Sequence, residues 1–170
     1  MTSADVLTEA FGRIPDLVRG AVEGLDADQL SIRPNGTGNS IAWLVWHLTR
    51  VEDNHLADAF GHDEVWQAAG YAERWALDLE PLDTGYGHST EQVDAVTVRD
   101  ARQLLEYFDD VHATSMSSVA ELDDAALQRV VDEEWDPPVT LLVRLVSVVD
   151  DAVQHAGQAA YARGLILAGR

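Results

Sequence analysis

Asp151 and His155 stand four residues apart in Asp150-Asp-Ala-Val-Gln-His-Ala-Gly-Gln158. On a helix that spacing stacks a carboxylate and an imidazole on one face, one turn apart. His47, in Trp43-Leu-Val-Trp-His47, is the candidate third ligand from a separate helix. Two imidazoles and a carboxylate on one side of a metal leave positions open for water or substrate, as catalysis requires. Such a set suits Zn(II), Ni(II) or Fe(II). The spacing also admits a metal-free reading. A buried carboxylate is costly unless it is paired, and Arg50 or Arg144 could balance Asp151 in an ordinary polar network.

The neighbours divide in the same way. Arg144, Asp151, His155 and Gln158 fall near one stripe of the last helix, together with Val148 and Ala162. Gln158 either supports a ligand or bonds across to the helix that carries His47. Arg50 either pairs with Asp53, three residues on, or faces the pocket and holds an anionic substrate. Trp43 and Trp46 flank His47, and Trp43 is the candidate pocket wall. His88 lies in a glycine-rich loop and could cap the pocket. His62 and His112 read as solvated surface residues.

Four long helices are expected to position these groups. The first spans roughly residues 4 to 24, and Pro15 should kink or break it. The second is capped by Asn39 or Ser40 and ended by Gly61. The third starts near Thr97, where Thr97-Val-Arg-Asp100 resembles a capping box. The fourth starts after Thr140 and continues to about Ala168. Between the second and third helices, residues 64 to 70 read as a short helix and residues 71 to 96 as a long loop, usually a functional feature in a compact domain. Val130 opens a short strand. The package is an all-α, antiparallel four-helix bundle, a single domain over 1–170, with a long crossover and short extra helices in its loops.

Composition excludes several classes. The 170 residues include no cysteine, so disulfides and thiol catalysis by the chain's own residues are ruled out. The formal net charge is -19 and all the basic residues are arginine. Such a field repels phosphate backbones and anionic membranes, so neither nucleic acid nor membrane is an expected partner. The N-terminus lacks the basic and apolar regions of a signal peptide. A cytoplasmic protein is expected.

The chain resembles the DinB-like superfamily, in particular its branch of mycothiol-dependent S-transferases and maleylpyruvate isomerases, over nearly its whole length. The segment Trp43-Leu-Val-Trp-His-Leu-Thr-Arg-Val-Glu-Asp-Asn-His-Leu56 is similar to the family's second-helix motif with its metal-binding histidine. Gln154-His-Ala-Gly-Gln158, followed by Tyr161-Ala-Arg-Gly164, is similar to the last-helix motif. Many relatives place a histidine four residues before the last one, and the isomerases a glutamate; this chain has the shorter Asp151. The resemblance implies a metal site of His47, Asp151 and His155, a zinc ion foremost with nickel or iron as alternatives, and a homodimer. It implies a low-molecular-weight thiol, mycothiol foremost, that attacks a small electrophile as a metal-bound thiolate. Full-length maleylpyruvate isomerases carry a further C-terminal domain, so maleylpyruvate is not the expected substrate. Two rivals remain: a metal-dependent hydrolase, and a non-enzymatic bundle acting as a dimeric binding protein.

Overall fold

The computed structural model describes residues 2–169. The first long helix is broken into α1 (Ser3–Gly12) and α2 (Ile14–Val22). Arg13 marks the break, and Pro15 falls in the first turn of α2, where its missing N–H leaves no gap in the ladder. After α3 (Ala27–Ser31) and a 3-10 turn at Pro34–Gly36 comes α4 (Ile41–Phe60). Ser40 caps α4 by accepting from the Trp43 amide, and Gly61 ends it in a left-handed conformation at φ 73°.

The crossover holds three short helices, α5 (Val65–Ala68), α6 (Tyr71–Trp75) and α7 (Thr90–Ala95). Two of them lie within the stretch that the sequence reads as loop. Arg33, just before α4, donates to the Thr90 carbonyl at 3.0 Å and to Asp94 at 3.0 Å. The crossover thus returns the chain to the end of the bundle where α4 begins. The third long helix, α8 (Ala101–Ala120), starts later than Thr97 because Asp100 is the cap, accepting from the Gln103 amide. A small antiparallel hairpin, β1 (Val130–Asp132) and β2 (Val139–Thr140), leads into α9 (Leu141–Leu167), capped by Thr140.

The four long helices close on one core. α4 packs on α8 and α9, while α1 and α2 close the other side against the same two helices. Phe11, Ile14, Trp46, Leu48, Tyr107 and Leu145 are among the side chains wholly or almost wholly removed from solvent. α4 and α9 run antiparallel, since His47 meets His155 while His55 meets Arg144. No described helix is long and apolar enough to cross a membrane.

Charged groups also enter this core. Asp53 accepts from the Val65 and Trp66 amides and from the Tyr107 hydroxyl, each at 2.8 Å, and from Arg50 at 3.3 Å. It thereby pins α5 and α8 to α4. Burial raises its pKa above the ordinary carboxylate value, opposed by the amide and hydroxyl hydrogen bonds. His112, read from sequence as a solvated residue, instead packs on Phe108 with Nδ1 3.5 Å from the buried Glu52. Asp53→Ala strips a partner from two amides, a hydroxyl and a buried guanidinium at once. It should destabilise the protein by about 3–5 kcal/mol, read as a lowered urea midpoint in equilibrium unfolding.

Candidate metal centre

His47 lies in the half of α4 that is buried on every side. Its Nδ1 bonds the Thr84 carbonyl, so that nitrogen carries the proton and Nε2 is left as a free ligand atom. The loop that brings Thr84 there is pressed hard against α4. Gly85 adopts φ +92°, and a Cβ on it would stand 2.8 Å from His47 Nδ1, 3.0 Å from Trp46 and 3.1 Å from Trp43. Only glycine meets both demands. Asp83 Oδ1 accepts from the Gly85 amide at 2.8 Å, and its Oδ2 accepts from His88 Nε2 at 2.8 Å. His88 Nδ1 in turn accepts from the Trp43 indole at 3.0 Å. The loop is therefore tied back to the same helix that it covers.

From α9, His155 donates through Nδ1 to Gln158 Oε1 at 3.0 Å and turns Nε2 toward Asp151 Oδ1 at 3.5 Å. The His47 and His155 rings meet edge to face with centroids 4.7 Å apart. One ligand atom from each of His47, Asp151 and His155 lies within 4.8 Å of the others, so the three converge on one point. Asp151 Oδ2 is buried there without a hydrogen-bond partner among the described residues. A buried carboxylate oxygen normally has one. Two oriented imidazoles beside a carboxylate with one unpartnered oxygen fit a divalent cation, and the donor set of two nitrogens and one oxygen suits zinc.

Proton affinities point the same way. Burial lowers the His47 pKa, partly offset by the Thr84 bond, which keeps the ring in the neutral form that ligates. The bond to Asp151 raises the His155 pKa.

The other residues singled out from sequence fall around this centre. Trp43 is buried and its ring stacks on His47, 4.5 Å between centroids. Gln158 is exposed and holds His155. Arg50 is wholly buried; it donates to the Asp83 carbonyl at 3.1 Å, and its guanidinium lies 2.7 Å from Glu64 and 3.3 Å from Asp53. Arg144 meets Asp132, Asp58 and His55 rather than Asp151. Sequence reasoning missed Thr84, Asp83 and His55. The turn residues around Gly85 were the available signal for the first two. A cavity of about 570 Å³ opens beside His47 and Asp151, with Val51, His55, Tyr86, Trp135, Val143 and Val148 in its walls.

The model of one protein family, mycothiol-S-transferase, matches residues 6–168. The chain belongs to the mycothiol-S-transferase family. It is also similar to a solved crystal structure, that of a conserved protein of a locus from Enterococcus faecalis. The two share 29% sequence identity with a TM-score of 0.91, over 100% of this chain and 99% of that one. No curated protein matches the chain. Membership places a thiol S-transferase type of activity on a chain that has no cysteine of its own, so the sulfur for such a reaction comes from outside.

Two outcomes follow from this geometry. Gly85→Ala should force the loop off His47, break the Thr84 bond and weaken the binding of any added divalent metal at the candidate site by roughly 10–100-fold, read by competition with a chromophoric chelator while the helical circular dichroism stays intact. A metal at His155 must also compete with protons for a ring whose pKa the bond to Asp151 raises. Affinity for an added divalent metal should therefore fall as pH drops from about 8 to about 6, and calorimetry in buffers of different ionisation enthalpy should show proton release.

Proposed function

We propose that this chain is a metal-dependent low-molecular-weight-thiol S-transferase, with His47, Asp151 and His155 holding one divalent metal, zinc foremost, and mycothiol as the thiol. The observation that carries the reading is that ligand atoms of His47, Asp151 and His155 lie within 4.8 Å of one another, while Asp151 Oδ2 is unpartnered and the Nδ1 atoms of both imidazoles are already engaged. A divalent metal there supplies Lewis acidity, which keeps a coordinated thiol in its nucleophilic thiolate form at neutral pH.

The chain's own residues do the positioning. Thr84 and Gln158 fix the tautomer and ring plane of the two histidines and raise their basicity. Trp43 and the Gly85 loop cover His47 on its inner side. In this reading Trp43, Arg50 and Gln158 serve the site by holding ligands and loop in place rather than by touching the electrophile. The electrophile occupies the cavity beside His47 and Asp151, within reach of the nucleophile. The resemblance extends the reading to a cytoplasmic homodimer.

Hydrolysis is disfavoured by one contact. His55 is the imidazole in the cavity that does not join the ligand cluster, and it would be the natural base. Its Nδ1 accepts from Arg144 at 2.8 Å, and an arginine can only donate. The basic nitrogen is thus already occupied, and burial with the neighbouring Arg144 lowers the pKa of the ring.

Plasma mass spectrometry should find about one zinc per chain in the parent and little in His47→Ala or His155→Ala. Cobalt-substituted protein should gain a sulfur-to-metal charge-transfer band on addition of mycothiol. Failure to load metal after reconstitution, or a loaded site whose spectrum ignores thiol, would sink the proposal.

A further inference from the structure

We infer that the electrophile taken by this site is a neutral molecule with a flat apolar body, gripped at the cavity mouth by Trp135 and Tyr86. The inference rests on the thiol-transfer reading for the role of the bound molecule, and its binding preference is measurable without turnover.

The charge of the cavity carries the first half. Among the described residues, Arg144 is the one arginine in its walls. Its guanidinium is already balanced: NH1 donates to His55 Nδ1 at 2.8 Å and to Asp58 at 3.4 Å, and NH2 donates to Asp132 at 3.1 Å. One cation thus meets two carboxylates and keeps no charge to spare for a substrate. The chain has no lysine, and its formal net charge of -19 adds a repulsive background. A carboxylate or phosphate on the substrate would find no unpaired cationic side chain in these walls and would have to displace an acidic group to reach Arg144.

The walls carry the second half. Val51, Val139, Val143 and Val148 line the interior. At the rim stand two aromatics from separate loops. Tyr86 is 93% exposed between two glycines in left-handed conformations, and Trp135 is 67% exposed in the segment joining β1 to β2. Large aromatic side chains are mostly buried, and two left open on one cavity are contacts without an occupant. Their faces suit a planar apolar ligand. Neither residue belongs to the ligand cluster, so they determine which molecule enters rather than how it reacts.

The test uses two unreactive probes that differ by one carboxylate, meta-dinitrobenzene and dinitrobenzoate, titrated calorimetrically into the metal-loaded protein. The parent should bind meta-dinitrobenzene at least about tenfold more tightly. Trp135→Ala and Tyr86→Ala should each weaken that probe several-fold with metal content unchanged. The double variant Asp58→Asn, Asp132→Asn frees Arg144 and should shrink or reverse the preference. Circular dichroism and zinc content verify that each variant folds. Equal or tighter binding of dinitrobenzoate by the parent overturns the inference, as does binding of neither probe, or of the neutral one unaffected by both aromatic variants. A parallel assay with mycothiol and chlorodinitrobenzene separates the two claims: tight, selective binding without conjugation would count against the thiol-transfer reading and leave the cavity preference standing.

Discussion

The structure depends on the need to satisfy charged side chains carried by a helix that has almost no surface. The first ten residues of α4 are all buried, and His47, Arg50 and Asp53 lie within or close to that stretch. Ionisable groups so placed must find partners or destabilise the fold by several kcal/mol each. Their partners come largely from the crossover. Asp53 takes the Val65 and Trp66 amides, Arg50 takes the Asp83 carbonyl and Glu64, and His47 takes the Thr84 carbonyl. The path of residues 64–84 is thus dictated by polar groups on α4. That explains how a segment with weak hydrophobic periodicity holds a definite course.

The same constraint makes the centre rigid. A histidine presented from a helix alone can turn about two side-chain bonds. Here the His47 ring is held by the Thr84 carbonyl at its edge, by Trp43 on one face and by Gly85 against Nδ1. Trp43 is fixed in turn through His88 and Asp83. Ligands locked by a surrounding shell lose little freedom when a metal arrives, so more of the coordination energy appears as affinity. Folding and site assembly share these bonds: whatever loosens the crossover also loosens the ligand.

The bundle was legible because its signals are local. Ser40, Gly61 and Thr140 mark ends by cap chemistry that a short window contains, and the structure uses all three. The start of the third long helix was misplaced because Thr97 and Asp100 are both good caps, and which one serves depends on the Gln103 amide and on Val96 and Val98 entering the core. α6 and α7 escaped because their single turns are stabilised by contacts with the rest of the chain, as where the Tyr71 hydroxyl meets Asp110 and the Glu106 carbonyl on α8. In the site, the Asp151–His155 spacing was readable on one helix. His47 could be joined to it only through resemblance, because spacing says nothing about which helix faces which. The Arg144 network was invisible for the same reason. It needs β1 to return Asp132 to α9 and α4 to supply His55.

Asp151 itself poses the last question of reach. The isomerases that this chain resembles carry the longer glutamate at this place, and one methylene is about the difference between touching a metal and missing it. α9 buries Ala152, Ala156 and Ala159 in the core beside Asp151 and His155. One oxygen of the shorter carboxylate still lies within 4.8 Å of both imidazole ligand atoms. A shorter side chain also has one fewer torsion to freeze. Its Oδ1 is turned to His155 Nε2 at 3.5 Å, and its Oδ2 is left without a hydrogen-bond partner among the described residues. With so short a carboxylate, the candidate metal centre depends on how α4 packs against α9, because His47 comes from the one helix and Asp151 and His155 from the other.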